Sequence, residues 1–195
     1  MSDAEIIEKV LSGDVNSFEL LVAKYEKMIY NLALTKLRNR ESAEDISQEC
    51  FLRAYKMLRS YRTESAFSTW IYRICQNLIA DHFRKNKKTN TVSLSFTGED
   101  GEWGEWKEFE IPDENSDPAG EVIRAEKIKK IREIIDSLPD DLREIIILRD
   151  FEDQSYADIA EMLALEIGTV KSRLNRAREK LKNYIIKNNE NGELF

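Results

Sequence analysis

The chain has 195 residues, 42% of them apolar, with 3 Pro and 7 Gly, a composition that argues for folded, mainly helical structure in one medium domain or two small ones. A single histidine, His82, and two cysteines without a CxxC spacing, Cys50 and Cys75, argue against a zinc site or a Ser-His-Asp arrangement. Buried free thiols are expected instead, with no metal and no cofactor.

Net charge is −7, which counts against a nucleic-acid partner until its distribution is considered. Residues 1 to 90 carry 15 basic and 12 acidic groups, residues 91 to 125 carry 2 and 10, and residues 126 to 195 carry 13 and 15. The acid is concentrated in the middle. No apolar run approaches a membrane span and the start MSDAEIIEKV is acidic and amphipathic, so a cytoplasmic protein without membrane insertion is expected.

In chain order, residues 3 to 11 read as a short helix ending at Ser12-Gly13-Asp14, after which Asn16 or Ser17 caps a longer helix through about Leu37. Phe18, Leu21, Val22, Tyr25, Ile29, Leu32 and Leu37 form its stripe. A helix near 41 to 58 follows, with Ala43, Ile46, Cys50, Phe51, Ala54 and Leu58 inward and Asp45, Gln48, Glu49 and Arg53 outward. After the polar loop Arg62-Thr63-Glu64-Ser65, a helix striped by Phe67, Trp70, Ile71, Ile74, Leu78 and Phe83 ends in Arg84, Lys85, Lys87 and Lys88. This mixture of aromatics and bases suits stacking on nucleobases and holding a backbone.

Periodicity fails from Thr89 to about Pro118, where Trp103, Trp106 and Phe109 stand among glutamates. Such a stretch is too long for a connection inside one compact domain and reads as a flexible acidic linker. A second helical unit begins near Ala119, with Val122, Ile128, Ile131, Ile135 and Leu138 as its stripe, and Pro139-Asp140-Asp141 starts the next helix, filled by Leu142, Ile145, Ile146 and Leu148. The tail NNENGELF has no stripe.

Ser155 to Lys182 specifies a helix-turn-helix. Ser155 and Asp158 suit a capping box, and the first helix buries Ile159, Ala160 and Leu163. The second starts at about Gly168 and buries Val170, Leu174, Ala177 and Leu181. Ala160, Ala164 and Val170 fall where the frame takes small residues and then a β-branched plug. Ala164 stands where glycine would relieve a positive φ. Outward lie Thr169, Lys171, Ser172, Arg173, Asn175 and Arg176, with Arg178, Lys180 and Lys182, a face suited to phosphates and base edges.

Four motifs in this order, AEDISQECFLRAYKML, FSTWIYRICQNLIADHFRK, LPDDLREIIILRDFEDQSYADIAEML and IGTVKSRLNRAREKL, resemble those of the extracytoplasmic-function sigma factors, the small two-domain group of the sigma-70 family. The resemblance implies an all-α protein of two small helical domains. Residues 1–90 would meet core RNA polymerase and the promoter −10 element, 91–119 would be the linker, and 120–195 would read the −35 element through a helix-turn-helix. It also implies roles for matching positions. Asp45, Gln48, Glu49 and Phe51 would face core polymerase. Arg62, Thr63, Glu64, Ser65, Ala66 and Asn77 would hold a flipped −10 base, supported by Phe67, Trp70 and Tyr72, with Arg84, Lys85 and Lys88 on the backbone. Arg149, Thr169, Lys171, Ser172, Arg173, Asn175 and Arg176 would contact the −35 element.

The expected function is therefore promoter-specific initiation together with core polymerase, with an anti-sigma factor as a further partner and a monomer outside its complexes. An autonomous helix-turn-helix regulator binding operator DNA is the alternative, and co-purification with core polymerase separates the two. A nucleic-acid enzyme lacks the metal-ligand cluster it would need.

Overall fold

Ser2 opens the first helix with a reciprocal cap. Its hydroxyl accepts the Glu5 N–H at 3.4 Å, and the Glu5 carboxylate accepts the Ser2 N–H at 2.7 Å. Two donors that a helix start leaves without intrahelical partners are thereby satisfied. The backbone N–H and then the hydroxyl of Ser2 hold Glu5 below the usual carboxylate range.

The computed structural model describes residues 1–89 and 133–190, with side chains to 86 in the first stretch and to 186 in the second. The acidic stretch read as a linker, the stripe residues Val122, Ile128 and Ile131, and the end of the tail lie outside the described residues. Two compact units are present, and the described residues form helices and no strand.

In the first unit, α1 (Asp3–Leu11) buries Ile6, Ile7 and Val10, and the chain turns at Gly13, whose φ of 113° only glycine adopts without strain. Ser17 stands before α2 (Phe18–Leu37) but makes no side-chain cap. Its hydroxyl donates instead to Asp14 at 2.7 Å, because a 3₁₀ turn, Val15–Ser17, supplies carbonyls to the incoming backbone N–H of Phe18. Lys24 and Tyr25 of α2 both reach Asp3, Lys24 at 2.5 Å, which fastens α1 to α2.

Arg38 closes α2 in the left-handed region at φ 51°, and Asn39 caps α3 (Arg40–Met57) by accepting the Ser42 N–H at 2.8 Å. A 3₁₀ turn, Leu58–Ser60, and a loop lead into α4 (Phe67–Thr89). The core holds Leu21, Ile29, Leu32 and Ile71 at 0% exposure, each worth about 1.5 to 3 kcal/mol relative to an exposed side chain. Ala33, Ala43 and Ala54 are buried among them and let α2, α3 and α4 approach closely. Both thiols, Cys50 and Cys75, are buried and not joined in a disulfide. Phe83 does not join the α4 stripe. It is exposed, while Cys75 and Ile79 are buried in its place, because α4 runs on past the helices that cover its first turns. Val22 and Leu37 are only half-buried at the margins of α2.

In the second unit, residues 133–136 are helical, with Ile134, Ile135 and Leu138 buried. Pro139 breaks that helix and starts α5 (Asp140–Ile146), its carbonyl accepting the N–H groups of Leu142 and Arg143 at 2.9 Å. Arg143, 2% exposed, folds back across the break. Its guanidinium donates to the carbonyls of Ile135, Asp136 and Leu138 at 3.2, 2.6 and 2.7 Å and to the Asp140 carboxylate at 3.0 Å. The carbonyls that a helix end leaves open are thus taken by a buried side chain from the next helix.

A single π-helical turn, Ile147–Phe151, follows α5, with Ile145, Ile146, Ile147 and Leu148 all at most 1% exposed. Four consecutive buried residues mean a helix enclosed on every side. Then come α6 (Tyr156–Leu163) and α7 (Ile167–Glu190).

Candidate nucleic-acid interface

The turn between α6 and α7 carries the geometry expected of a helix-turn-helix, with alanine in the strained place. Ala164 sits at φ 51°, its N–H donates to Glu161 O at 3.4 Å and the Leu165 N–H donates to Ala160 O at 2.9 Å. This pair of bonds is a Schellman closure. A left-handed alanine costs about 1 to 2 kcal/mol that glycine would not. Ser155 caps α6 by accepting the Asp158 N–H at 3.1 Å, and its hydroxyl donates to the Asp158 carboxylate at 2.6 Å. That carboxylate therefore meets the hydroxyl. Ile159 and Ala160 are buried, but Met162 is the third buried residue and Leu163 only half-buried.

On α7, which begins at Ile167, Val170, Leu174 and Ala177 are 0 to 2% exposed and Leu181 is half-buried. Lys171, Ser172, Asn175 and Arg176 are exposed together on the opposite side, with Thr169 half-buried at its margin. Arg173 differs from the others. It is half-buried beside α5, with its guanidinium 3.7 Å from the Asp141 carboxylate. Arg178 is bound to both oxygens of Asp150, its Nε at 3.0 Å, and this pairing raises its pKa further.

Arg149 reaches the same region but is committed locally. It donates to Gln154 O at 2.8 Å and lies 5.0 Å from the centre of the Tyr156 ring, with Lys171 6.0 Å from that centre. Tyr156 thus gathers two cations at the start of α6. Sequence reasoning passed over it, although an aromatic immediately after a capping serine was visible.

In the first unit the loop 62–66 rests on a cluster of rings. Tyr61 and Trp70 centres lie 5.1 Å apart, Phe67 and Trp70 5.5 Å, Tyr61 and Phe67 5.7 Å, and Tyr25 and Phe67 5.4 Å. These spacings are those of attractive aromatic pairs. The Tyr61 hydroxyl donates to Ser65 O at 2.7 Å and so ties the loop across its own length. Tyr61 is the residue that sequence reasoning missed here. Burial keeps its phenol protonated to a higher pH than usual, with Asp3 adding to the effect.

Arg62, Thr63, Glu64 and Ala66 are exposed and Ser65 is half-buried. Trp70 and Asn77 lie two helical turns apart on one side of α4, Trp70 half-buried and Asn77 exposed. Phe67 and Tyr72, named from the sequence as supports for the loop or the strand, are 1% and 4% exposed. Phe67 can support the loop only from beneath, and the Tyr72 hydroxyl accepts a hydrogen bond from Gln76 at 2.8 Å inside α4. At the far end of α4, Arg84 pairs with Asp81 and Lys85 is exposed, while the Lys88 side chain lies outside the described residues.

On α3, Asp45 and Gln48 are exposed, and Glu49 accepts from Arg53 at 2.7 Å, a bond that lowers its pKa. Phe51 is 8% exposed and turns toward α2, so it is not part of the outer row. It lines a groove of about 660 Å³ with Phe18, Val22, Gln48, Leu52 and Tyr55, rimmed by Glu19, Glu26 and Glu44. Leu52 and Tyr55 are exposed there, and the Tyr55 ring meets Phe18 edge-on at 5.2 Å. Among the described residues no helix is long and apolar enough to cross a membrane.

Comparison with known proteins places both units. The family description Sigma-70 region 2 matches residues 21–89, and Sigma-70, region 4 matches residues 128–181. The chain is 37% identical over 177 residues to the RNA polymerase sigma-H factor of Pseudomonas aeruginosa, covering 91% of this chain and 90% of that protein. It is 35% identical to the ECF RNA polymerase sigma-E factor of Haemophilus influenzae, covering 95% and 96%, and 36% identical to the ECF RNA polymerase sigma factor SigW of Bacillus subtilis, covering 90% and 92%. The fold is similar to that of CnrH, solved in complex with the cytosolic domain of CnrY, with TM-score 0.65, 21% identity and coverage of 96% and 99%. It is also similar to the sigma factor RpoE of Bartonella quintana, solved with the anti-sigma factor NepR, with TM-score 0.58, 22% identity and coverage of 86% and 96%. With two sigma-70 regions in one chain and curated relatives matched over nine-tenths of their length, the chain belongs to the extracytoplasmic-function sigma factors of the sigma-70 family.

Proposed function

We propose that this sigma factor meets core RNA polymerase through α3, captures an unpaired −10 base at the loop 62–66 and Asn77, and reads the −35 element with α7. The row Lys171, Ser172, Asn175 and Arg176 carries this reading, since it is exposed on a helix whose opposite face buries Val170, Leu174 and Ala177. Asp45, Gln48 and the α2–α3 groove form the polymerase surface, with Arg84, Lys85 and Lys88 along the strand backbone. Residues 1–90 and 120–195 serve as the two functional domains and 91–119 as their linker. The protein performs no catalysis of its own, works in the cytoplasm, and takes an anti-sigma factor as a further partner, a reading supported by the structural neighbour solved in complex with one. The presence of regions 2 and 4 together favours this over an autonomous regulator.

Run-off transcription with purified core and a promoter library tests the reading. Specific starts should require both components, since an acidic total disfavours autonomous DNA binding. Tight sequence-specific binding of the isolated chain to duplex DNA would count against it. Within that assay, Asn77→Ala should cost about 1 to 3 kcal/mol of open-complex formation on duplex templates. Flipping a base costs a few kcal/mol in duplex DNA and much less once it is unpaired, so a pre-melted −10 bubble should restore part of the loss. Equal failure on bubble and duplex, with core binding intact, would remove Asn77 from the pocket.

A further inference from the structure

Two acid–base pairs tie α7 to the elements beneath it, and they differ in kind. Arg178 is hydrogen-bonded to both oxygens of Asp150. Arg173 lies 3.7 Å from Asp141, beyond hydrogen-bond length. The Arg173 side chain is 29% exposed and that of Asp141 53%, so both remain open to solvent and to a competing anion. Asp141 sits in the first turn of α5, and Arg173 stands one residue along α7 from the exposed Ser172.

We infer that Asp141 is an intramolecular counter-ion which competes with promoter DNA for Arg173 and so limits how strongly α7 holds the −35 duplex. This rests on the reading of α7 as the −35 reader. An arginine engaged by a carboxylate must leave it, or share it, to meet a phosphate or a guanine edge, and the carboxylate then faces DNA unpaired. The long, solvated geometry makes that exchange accessible. Arg178, although its side chain is 50% exposed, is held by two hydrogen bonds to Asp150 and fixes α7 to the π-helical turn.

The test titrates the complex of full-length protein and core polymerase with promoter duplex over a salt series, for wild type, Asp141→Asn, Asp141→Glu, Arg173→Ala and Asp141→Asn with Arg173→Ala. Asp141→Asn should bind roughly two- to fivefold more tightly, the range an exposed ion pair is worth. The slope of log K against log salt should steepen by up to about 0.9, as for one further neutralised phosphate. Asp141→Glu should behave as wild type, and the gain should vanish in the Arg173→Ala background. No gain, weaker binding, loss of folded protein, or an equal gain without Arg173 would overturn the inference. If wild type binds promoters with intact and scrambled −35 elements alike, it is the reading of α7 that fails.

Discussion

Replacing Arg143 by methionine should cost the second unit about 3 to 5 kcal/mol, the penalty of leaving buried polar groups without the charged partner that satisfied them. Methionine fills much of the volume, so the loss isolates the hydrogen bonds. Those bonds run to three main-chain carbonyls on one side of Pro139 and a carboxylate on the other. Lysine should recover only part of the stability, because its ammonium is a point charge and cannot fork across three acceptors. Against a total of about 5 to 15 kcal/mol for a typical domain, the change is large. Urea unfolding followed by circular dichroism reads it directly. A loss below about 1 kcal/mol would show that the carbonyls are satisfied without the clamp.

Phe67→Ala should have an effect of similar size in the first unit, about 3 to 5 kcal/mol for a large aromatic removed from a packed interior. Phe67 touches Tyr25, Tyr61 and Trp70 at ring spacings of 5.4 to 5.7 Å, so its loss also removes the floor on which the loop 62–66 lies. Initiation from duplex promoters should fall even where folded protein is recovered. Tyr61→Phe is the contrasting variant: it keeps the ring and loses only the bond to Ser65 O, worth about 0.5 to 1.5 kcal/mol. Permanganate footprints of the −10 region distinguish the two. Normal opening by Phe67→Ala would show that the loop holds its shape without the cluster.

What could be read in the sequence was whatever depended on near neighbours. The bounds of α1 at residues 3 and 11 follow from local capping and Gly13, and the helix-turn-helix follows from spacing alone. The left-handed residue at position 164 was legible because the frame demands it whatever side chain is present. Partners brought together by the fold were not legible. Nothing in LPDDLR says that Arg143 turns inward to carbonyls five to eight residues behind it, since arginine is almost always exposed. Phe51 was placed on a functional surface by resemblance, and Phe67 and Tyr72 among the supports of the loop or the strand, and the packing of α2 against α3 and α4 puts all three inside. Arg173 and Arg176 looked equivalent by charge, yet only Arg173 finds a carboxylate across the helix interface.

The two buried thiols give the protein a built-in clock. Cys50 and Cys75 are its only cysteines, both enclosed in the first unit on α3 and α4. A thiol is alkylated as the exposed thiolate, so a water-soluble reagent must wait for those helices to part. Labelling kinetics therefore time the opening of the first unit while remaining blind to the helix-turn-helix. Each transient exposure of that unit becomes countable, one alkyl group at a time, by mass spectrometry.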